Sequence, residues 1–177
     1  GWNVVYMGMG EPLDNLDAVL ASVDAFTAPE GLGLSTRRIT LSTSGHPEGL
    51  PDFVERSPGV GLTLSVNGCT PSLRKRLMPV PGRTPLPEVL DLAETYARRI
   101  KRPVTVAYVL IDGVNDADDE ARRLAELVTE RPFKVNLIPM NLIDERFAPQ
   151  PRERILGFQS TLFELGVRAP IRDSGGK

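Results

Sequence analysis

Four short clusters in this chain combine residue types that could hold a small charged ligand. Gly8-Met9-Gly10-Glu11-Pro12 follows the apolar run Val4-Val5-Tyr6-Met7. A strand that ends in glycines and then presents a carboxylate makes a ligand-facing loop. Glycine lets the backbone approach a ligand closely and adopt positive φ. Glu11, held there by Pro12, offers acceptors to an ammonium group. Ser42-Thr43-Ser44-Gly45, Ser65-Val66-Asn67 and Asn136-Leu137-Ile138-Pro139-Met140-Asn141 lie at the ends of later strand-like runs. The hydroxyls and amides of Ser65 and Asn67 suit a ribose or a carboxylate, and an amide such as Asn141 can pair with a purine edge in two directions. Each cluster also has a plainer reading. Gly-x-Gly-Glu-Pro serves as a tight strand-to-helix connection with a solvated carboxylate. Ser/Thr clusters cap helices or make local turns, and Asn141 reads as a turn residue after a strand.

The elements that must position these clusters alternate strand and helix. Residues 2–7 read as a buried strand, apolar and β-branched. Leu16, Val19, Leu20, Val23 and Phe26 follow helical spacing, with Asp14 or Asn15 as cap. A strand over 38–42, a short helix around 50–55 and a strand over 61–65 follow. Thr70-Pro71 and Thr84-Pro85 are helix starts of the cap-then-proline kind. The second opens a helix whose stripe is Leu86, Val89, Leu90, Ala93, Tyr96 and Ile100. Strand 104–111, helix 116–130, strand 133–138, a helix over 152–165 stopped by Gly166 and a short strand over 167–171 complete the chain. About six strands separated by helices imply parallel pairing with right-handed crossovers. Every glycine-rich or polar cluster then falls at the C-terminal edge of the strands, where parallel α/β folds build their sites. The proline-rich stretch 79–87 reads as a loop between two helices.

Composition sets the outer bounds. A chain of 177 residues, 41% apolar and 25% charged, can bury one core, so a single domain over 1–177 is expected. No apolar run approaches the roughly 20 residues that span a bilayer, and no signal-peptide pattern opens the chain. It begins at Gly1, inside the approach to a strand, and is expected to be a piece of a longer protein. One cysteine excludes an internal disulfide framework and a CxxC metal site, and fits a cytosolic origin. A net charge of −2 gives no overall basic signal for nucleic acid, although a groove can be basic on a neutral whole.

In this order and spacing the clusters resemble one family, the radical S-adenosylmethionine (SAM) RNA methyltransferases that modify carbon 2 of an adenine. The resemblance runs from about Trp2 to about Ile171. It implies an α/β fold, a partial parallel (β/α)6-type radical SAM barrel, with this chain as the C-terminal portion of the core. It implies a SAM site in which Gly10 and Glu11 meet the methionine amino group and Asn141 contacts SAM near its adenine end. Ser42, Ser65, Val66 and Asn67 complete that site, while Ser44 and Gly45 are structural. Asn67 stands where members often carry His, which preserves hydrogen bonding. Ala107 stands where members usually carry Glu.

In intact members a CxxxCxxC loop binds a 4Fe-4S cluster through three thiolates, and a cysteine near the C-terminus carries a methyl group. None of those cysteines occurs here. The resemblance therefore implies no catalytic residue and no metal ligand within this chain, and a fragment inactive alone. Arg172-Asp173-Ser174-Gly175-Gly176-Lys177 looks like the stretch before the terminal cysteine. The implied parent is a cytoplasmic enzyme acting on 23S rRNA and tRNA, with an electron donor such as a flavodoxin and no membrane. Its cofactors would be SAM and the 4Fe-4S cluster.

Three alternatives stand beside this one: a carbon-8 adenine methyltransferase with the same core, a non-catalytic SAM-binding or scaffold barrel, and an unrelated parallel α/β enzyme with a phosphate ligand. The last predicts a glycine-rich helix N-terminus, and no clear one is present. Cys69 reads as a small buried hydrophobe and His46 as a solvated loop residue. Asp112, Asn115 and Asp116 read as shaping a loop and capping a helix. The runs Arg74-Lys75-Arg76 and Arg98-Arg99-Ile100-Lys101-Arg102 read as solvated helix faces that could track an RNA backbone.

Overall fold

The computed structural model describes residues 1–79, 84–140 and 151–172. In chain order its elements are β1 (Val4–Tyr6), α1 (Leu16–Thr27), β2 (Ile39–Thr43), α2 (Gly49–Arg56), β3 (Gly61–Ser65), α3 (Pro71–Leu77), α4 (Leu86–Ile100), β4 (Val104–Leu110), α5 (Asp118–Val128), β5 (Phe133–Pro139) and α6 (Arg152–Glu164). The fold is α/β, and the residues group into two compact units, Gly1–Ser65 with Gly82–Val104, and Val66–Pro81 with Thr105–Lys177. No helix among the described residues is long and apolar enough to cross a membrane.

In the first unit β1, β2 and β3 pair in parallel in chain order, with Val5 opposite Thr40 and Ser42 opposite Thr63. Parallel neighbours need a crossover, which a helix normally supplies. Alternation sorts β2 into two faces: Ile39, Leu41 and Thr43 are buried, while Thr40 and Ser42 are half-buried on the other face. The helices bury single stripes. α2 sinks Leu50, Phe53 and Val54, and α4 sinks Leu86, Val89, Leu90, Ala93 and Tyr96. Phe53 and Tyr96 meet with ring centroids 4.8 Å apart, and the Tyr96 hydroxyl donates to Val60 O at 2.7 Å. Arg99 donates to the carbonyls of Val54 and Glu55, and Arg102 to that of Gly59. The basic run at the end of α4 is thus partly spent on orphan carbonyls instead of forming a free solvated face. Gly45 has φ +97°, and a Cβ there would lie 2.7 Å from Val89 Cγ2, so this turn requires glycine on both counts.

α4 starts later than the Thr84-Pro85 signal suggests. Its N-cap residue is Pro85, which has no side-chain cap hydrogen bond, and its first-turn proline is Pro87.

In the second unit β4 neighbours β5, and Met140 N–H donates to Leu110 O at 3.1 Å. Val106, Tyr108, Leu110, Leu124, Leu137, Phe158 and Leu162 form its core, with Tyr108 stacked on Phe158 at 5.4 Å. Thr70 caps α3 by accepting from Leu73 N–H at 3.3 Å, with Pro71 in the first turn, as the sequence signal requires. Arg74 in the same helix is not a solvated cation. It is 3% exposed and donates to Val66 O at 2.7 Å.

α6 ends before Gly166, which takes φ +82°. The strand expected over 167–171 shrinks to a single parallel bridge, Leu137 with Ile171. Pro170 interrupts it, because proline has no N–H to give a ladder. Five strands are therefore formed among the described residues, against about six expected.

Candidate functional site

β1 ends at Tyr6, and Gly8-Met9-Gly10 leaves its C-terminal end fully exposed. Gly10 has φ +94° with nothing within 4 Å of a Cβ built on it. Backbone conformation, not crowding, requires glycine there. Glu11 follows as the N-cap of a 3-10 turn over Pro12–Asn15. Its carboxylate is fixed from two sides: Oε1 accepts from Leu13 N–H at 3.2 Å, and Oε2 accepts from Ser44 N–H at 3.0 Å and Ser44 Oγ at 3.2 Å. A carboxylate has about four acceptor positions, so three are engaged and the group is pinned while retaining capacity for a cation. Ser44 and Gly45 do structural work, with Gly45 N–H donating to Thr43 Oγ1 at 3.1 Å.

Ser42 stands in β2, one strand over from β1, on the face opposite the buried Leu41 and Thr43. Register carries that face to Thr63, and alternation carries it to Ser65, the last residue of β3. The first unit thus holds Gly10, Glu11, Ser42 and Ser65 at or just beyond the C-terminal ends of three adjacent parallel strands. This edge offers a fixed carboxylate, two hydroxyls and an open glycine loop, which suits a zwitterionic or polar ligand of modest size.

His46 is not the solvated loop residue expected. Nδ1 accepts from Gly49 N–H at 2.8 Å, and Nε2 lies 2.9 Å from Asp14 Oδ1. The ring pins the start of α2, because its two nitrogens serve as acceptor and donor at once.

In the second unit Val66 is buried and Asn67 takes φ +53°. The Asn67 amide is engaged by protein: Oδ1 accepts from Val109 N–H at 2.9 Å, and Nδ2 approaches Met78 Sδ at 3.6 Å. Asn141 lies outside the described residues. Asn115 and Asp116 shape the loop after β4, as expected, but none of Asp112, Asn115 and Asp116 caps α5, whose N-cap residue is Ala117. Asn115 Oδ1 accepts from Ile111 N–H at 2.7 Å. Asp116 accepts from Gly113 N–H at 3.1 Å and takes both Arg154 nitrogens, at 2.6 and 2.9 Å. With Asp116 so employed, α5 begins at Asp118 and not at 116.

Cys69 is the sole cysteine. Its N–H donates to the buried Glu120 carboxylate and its Sγ lies 3.9 Å from Glu120 O. Burial pushes the thiol's pKa up, and the Glu120 charge pushes it further, so the nucleophilic thiolate is suppressed. In the folded chain at pH 8, Cys69 should react with an alkylating reagent at least about tenfold more slowly than the same thiol in denaturant; equal rates would refute this reading. Among the described residues no group of His, Cys, Asp and Glu could hold a metal ion. Two surface grooves, of about 410 and 560 Å³, are lined by α5, α6 and the segment after α6, and by none of the candidate site residues.

Sequence reasoning missed the buried polar groups Arg74 and Glu120, because nothing in helical periodicity marks a charged residue as internal. The sequence marks Asn115 as a loop former but carries no signal for the bonds its amide makes to Asn67 and Val109.

No protein-family model matches the chain. A probable dual-specificity RNA methyltransferase RlmN of Moorella thermoacetica is 42% identical over 176 residues, covering 99% of this chain and 50% of that protein. A dual-specificity RNA methyltransferase RlmN of Sorangium cellulosum is also 42% identical, over 98% of this chain and 45% of its own length. The crystal structure of a radical SAM methyltransferase from Sphaerobacter thermophilus superposes with a TM-score of 0.90 at 38% identity, covering 98% of this chain and 51% of that one. A domain of a pyruvate-formate lyase-activating enzyme from Bacteroides vulgatus, 18% identical with a TM-score of 0.73, shares the fold. The chain spans about half the length of the curated relatives it matches.

Proposed function

From its similarity over 99% of its length to a probable dual-specificity RNA methyltransferase RlmN and over 98% to a radical SAM methyltransferase structure, we propose that this chain is the SAM-binding portion of a radical SAM RNA methyltransferase. The parent protein would methylate carbon 2 of adenine in 23S rRNA and tRNA, in the cytoplasm, with electrons from a donor such as a flavodoxin. The observation that carries this reading is the Glu11 carboxylate, pinned by Leu13 and Ser44 beside an open glycine loop.

The donor set suits SAM. Glu11 would accept from the methionine ammonium. Gly10 would let the backbone approach it. Ser42 and Ser65 would meet its polar groups, and Val66, Asn67 and Asn141 are SAM contacts on the family resemblance alone. Bound SAM would supply the methyl group and, on reductive cleavage, the radical. The residues present do not fit a 4Fe-4S cluster, because Cys69 is a single, half-buried thiol whose pKa is pushed up by desolvation and by Glu120. The thiolates for the cluster and for the methyl carrier would have to come from other residues of the parent.

The test uses a full-length protein containing these 177 residues. It should bind SAM in a calorimetric titration and, once reconstituted and reduced, place a methyl group on adenine. Mass spectrometry of digested RNA should find 2-methyladenosine. 8-Methyladenosine would replace the carbon-2 reading with the carbon-8 one. SAM binding without any methylated base would favour a non-catalytic SAM-binding barrel.

A further inference from the structure

The turn over 66–69 directly follows β3, and three buried polar side chains from elsewhere in the second unit hold its backbone. Asn115, 1% exposed, donates through Nδ2 to Asn67 O at 2.9 Å and to Val109 O at 2.7 Å, while its Oδ1 accepts from Ile111 N–H. Arg74 donates to Val66 O. Glu120, 5% exposed, accepts from Cys69 N–H. Val66 N–H itself donates to Ala107 O at 3.0 Å. Within the turn, Gly68 N–H donates to Val66 O at 2.7 Å, and Asn67 sits at positive φ. A non-glycine residue there is held by its surroundings.

Asn67 and Asn115 also bracket the same residue. Asn67 Oδ1 takes the Val109 N–H, and Asn115 Nδ2 takes the Val109 carbonyl. The Tyr108 hydroxyl donates to Asn115 O at 2.9 Å, which fixes the backbone that carries the amide. This network spends two side-chain charges and a fully used carboxamide on the shape of a four-residue turn. Buried polar groups of this kind are costly unless every partner is in place.

We propose that Asn115, seconded by Arg74 and Glu120, is a positioning residue that keeps the 66–69 turn in the one shape in which Val66 and Asn67 can receive SAM. The proposal rests on the SAM reading above and extends it to residues that do not touch the ligand. An amide is required at 115 because two carbonyls must be met by donors and one N–H by an acceptor. Aspartate would turn a carboxylate oxygen toward two carbonyl oxygens.

The experiment compares the full-length protein with Asn115→Ala and Asn115→Ser, and with Tyr96→Phe as a control that removes a buried hydrogen bond in the first unit. Each is measured for thermal midpoint, for SAM affinity by calorimetry, and for amide hydrogen exchange across 66–69. A turn that spends only a tenth of its time in the binding shape lowers apparent affinity about tenfold. Both Asn115 variants should therefore weaken SAM binding by about that factor or more, and should speed exchange at 66–69. Asn115→Ser, the milder change, keeps the test alive if Asn115→Ala does not fold. Tyr96→Phe should lower the midpoint while leaving SAM affinity and exchange at 66–69 as in wild type. Folded Asn115 variants that bind SAM like wild type would overturn the proposal, as would a Tyr96→Phe variant that weakens SAM equally. A wild-type protein that fails to bind SAM would instead overturn the functional reading, and it is identified first, before any variant is compared.

Discussion

The 177-residue chain, reconstituted with iron and sulfide and supplied with SAM, reductant and RNA, should yield neither deoxyadenosine nor methylated base. Stoichiometry and protonation both forbid these products. In the family that the sequence resembles, the cluster takes three cysteine thiolates and the methyl carrier is a further cysteine. This chain has one. That one is unsuited even to a partial role: desolvation and the Glu120 charge favour its protonated form, and its half-buried Sγ sits against the Glu120 carbonyl. Loss should therefore be complete, not graded. A full-length protein that supplies the missing thiolates should show both products, and Cys69→Ala in that background should leave turnover within about twofold of wild type, since the thiolate is the reactive form. Deoxyadenosine formed above blank by the chain alone would overturn the argument. So would loss of turnover in a folded Cys69→Ala protein that still binds SAM, because it would move the catalytic thiol to Cys69.

The fold was legible wherever local pattern and tertiary demand agree. β3 occupies 61–65 as read from its apolar residues, and the Thr70-Pro71 start and Gly166 stop are honoured in the structure. Cap and stop signals work because they settle a helix's unpaired terminal backbone groups with residues adjacent in sequence. Where a distant partner competes, the local reading fails. Asp116 was available to start α5, but Arg154 and the Gly113 amide take its carboxylate. Arg74 lies in a run of three cations that reads as solvated, yet the carbonyl of Val66 draws it inside. His46 is the loop residue the sequence suggests, but Asp14 and the Gly49 amide engage its two nitrogens and leave it half-buried. The candidate site divides the same way. Strand alternation alone puts Ser42 on the face opposite Leu41 and Thr43, and the glycines after β1 announce an open loop. That Ser44 fixes Glu11, and that Asn115 ties down the turn after β3, depends on contacts 33 and 48 residues apart in sequence. No periodicity reports such pairs.

Glu11→Ala, made in the full-length protein, should weaken SAM binding roughly ten- to hundredfold, the equivalent of about 1.5–3 kcal/mol for a hydrogen bond to a charged group. The effect should be large because the carboxylate is preorganised. Leu13 and Ser44 already hold both oxygens, so little conformational freedom is left to lose when an ammonium arrives. The same geometry predicts what conservative changes do. Glu11→Gln keeps the shape but places an amide NH2 toward either the Leu13 or the Ser44 N–H, donor against donor, so it should not rescue affinity. Ser44→Ala keeps its backbone N–H on Oε2 and loses only the hydroxyl, so its loss should be smaller, about two- to fivefold for one neutral donor. The variants should therefore rank Ser44→Ala above Glu11→Gln and Glu11→Ala in affinity. Calorimetric titration measures the order directly, and a thermal midpoint on each sample separates lost binding from lost folding, since Glu11→Ala also strands two N–H donors. A folded Glu11→Ala protein that binds SAM as tightly as wild type would remove the carboxylate from the cofactor site. Glu11 would then be left as the cap of the Pro12–Asn15 turn and nothing more.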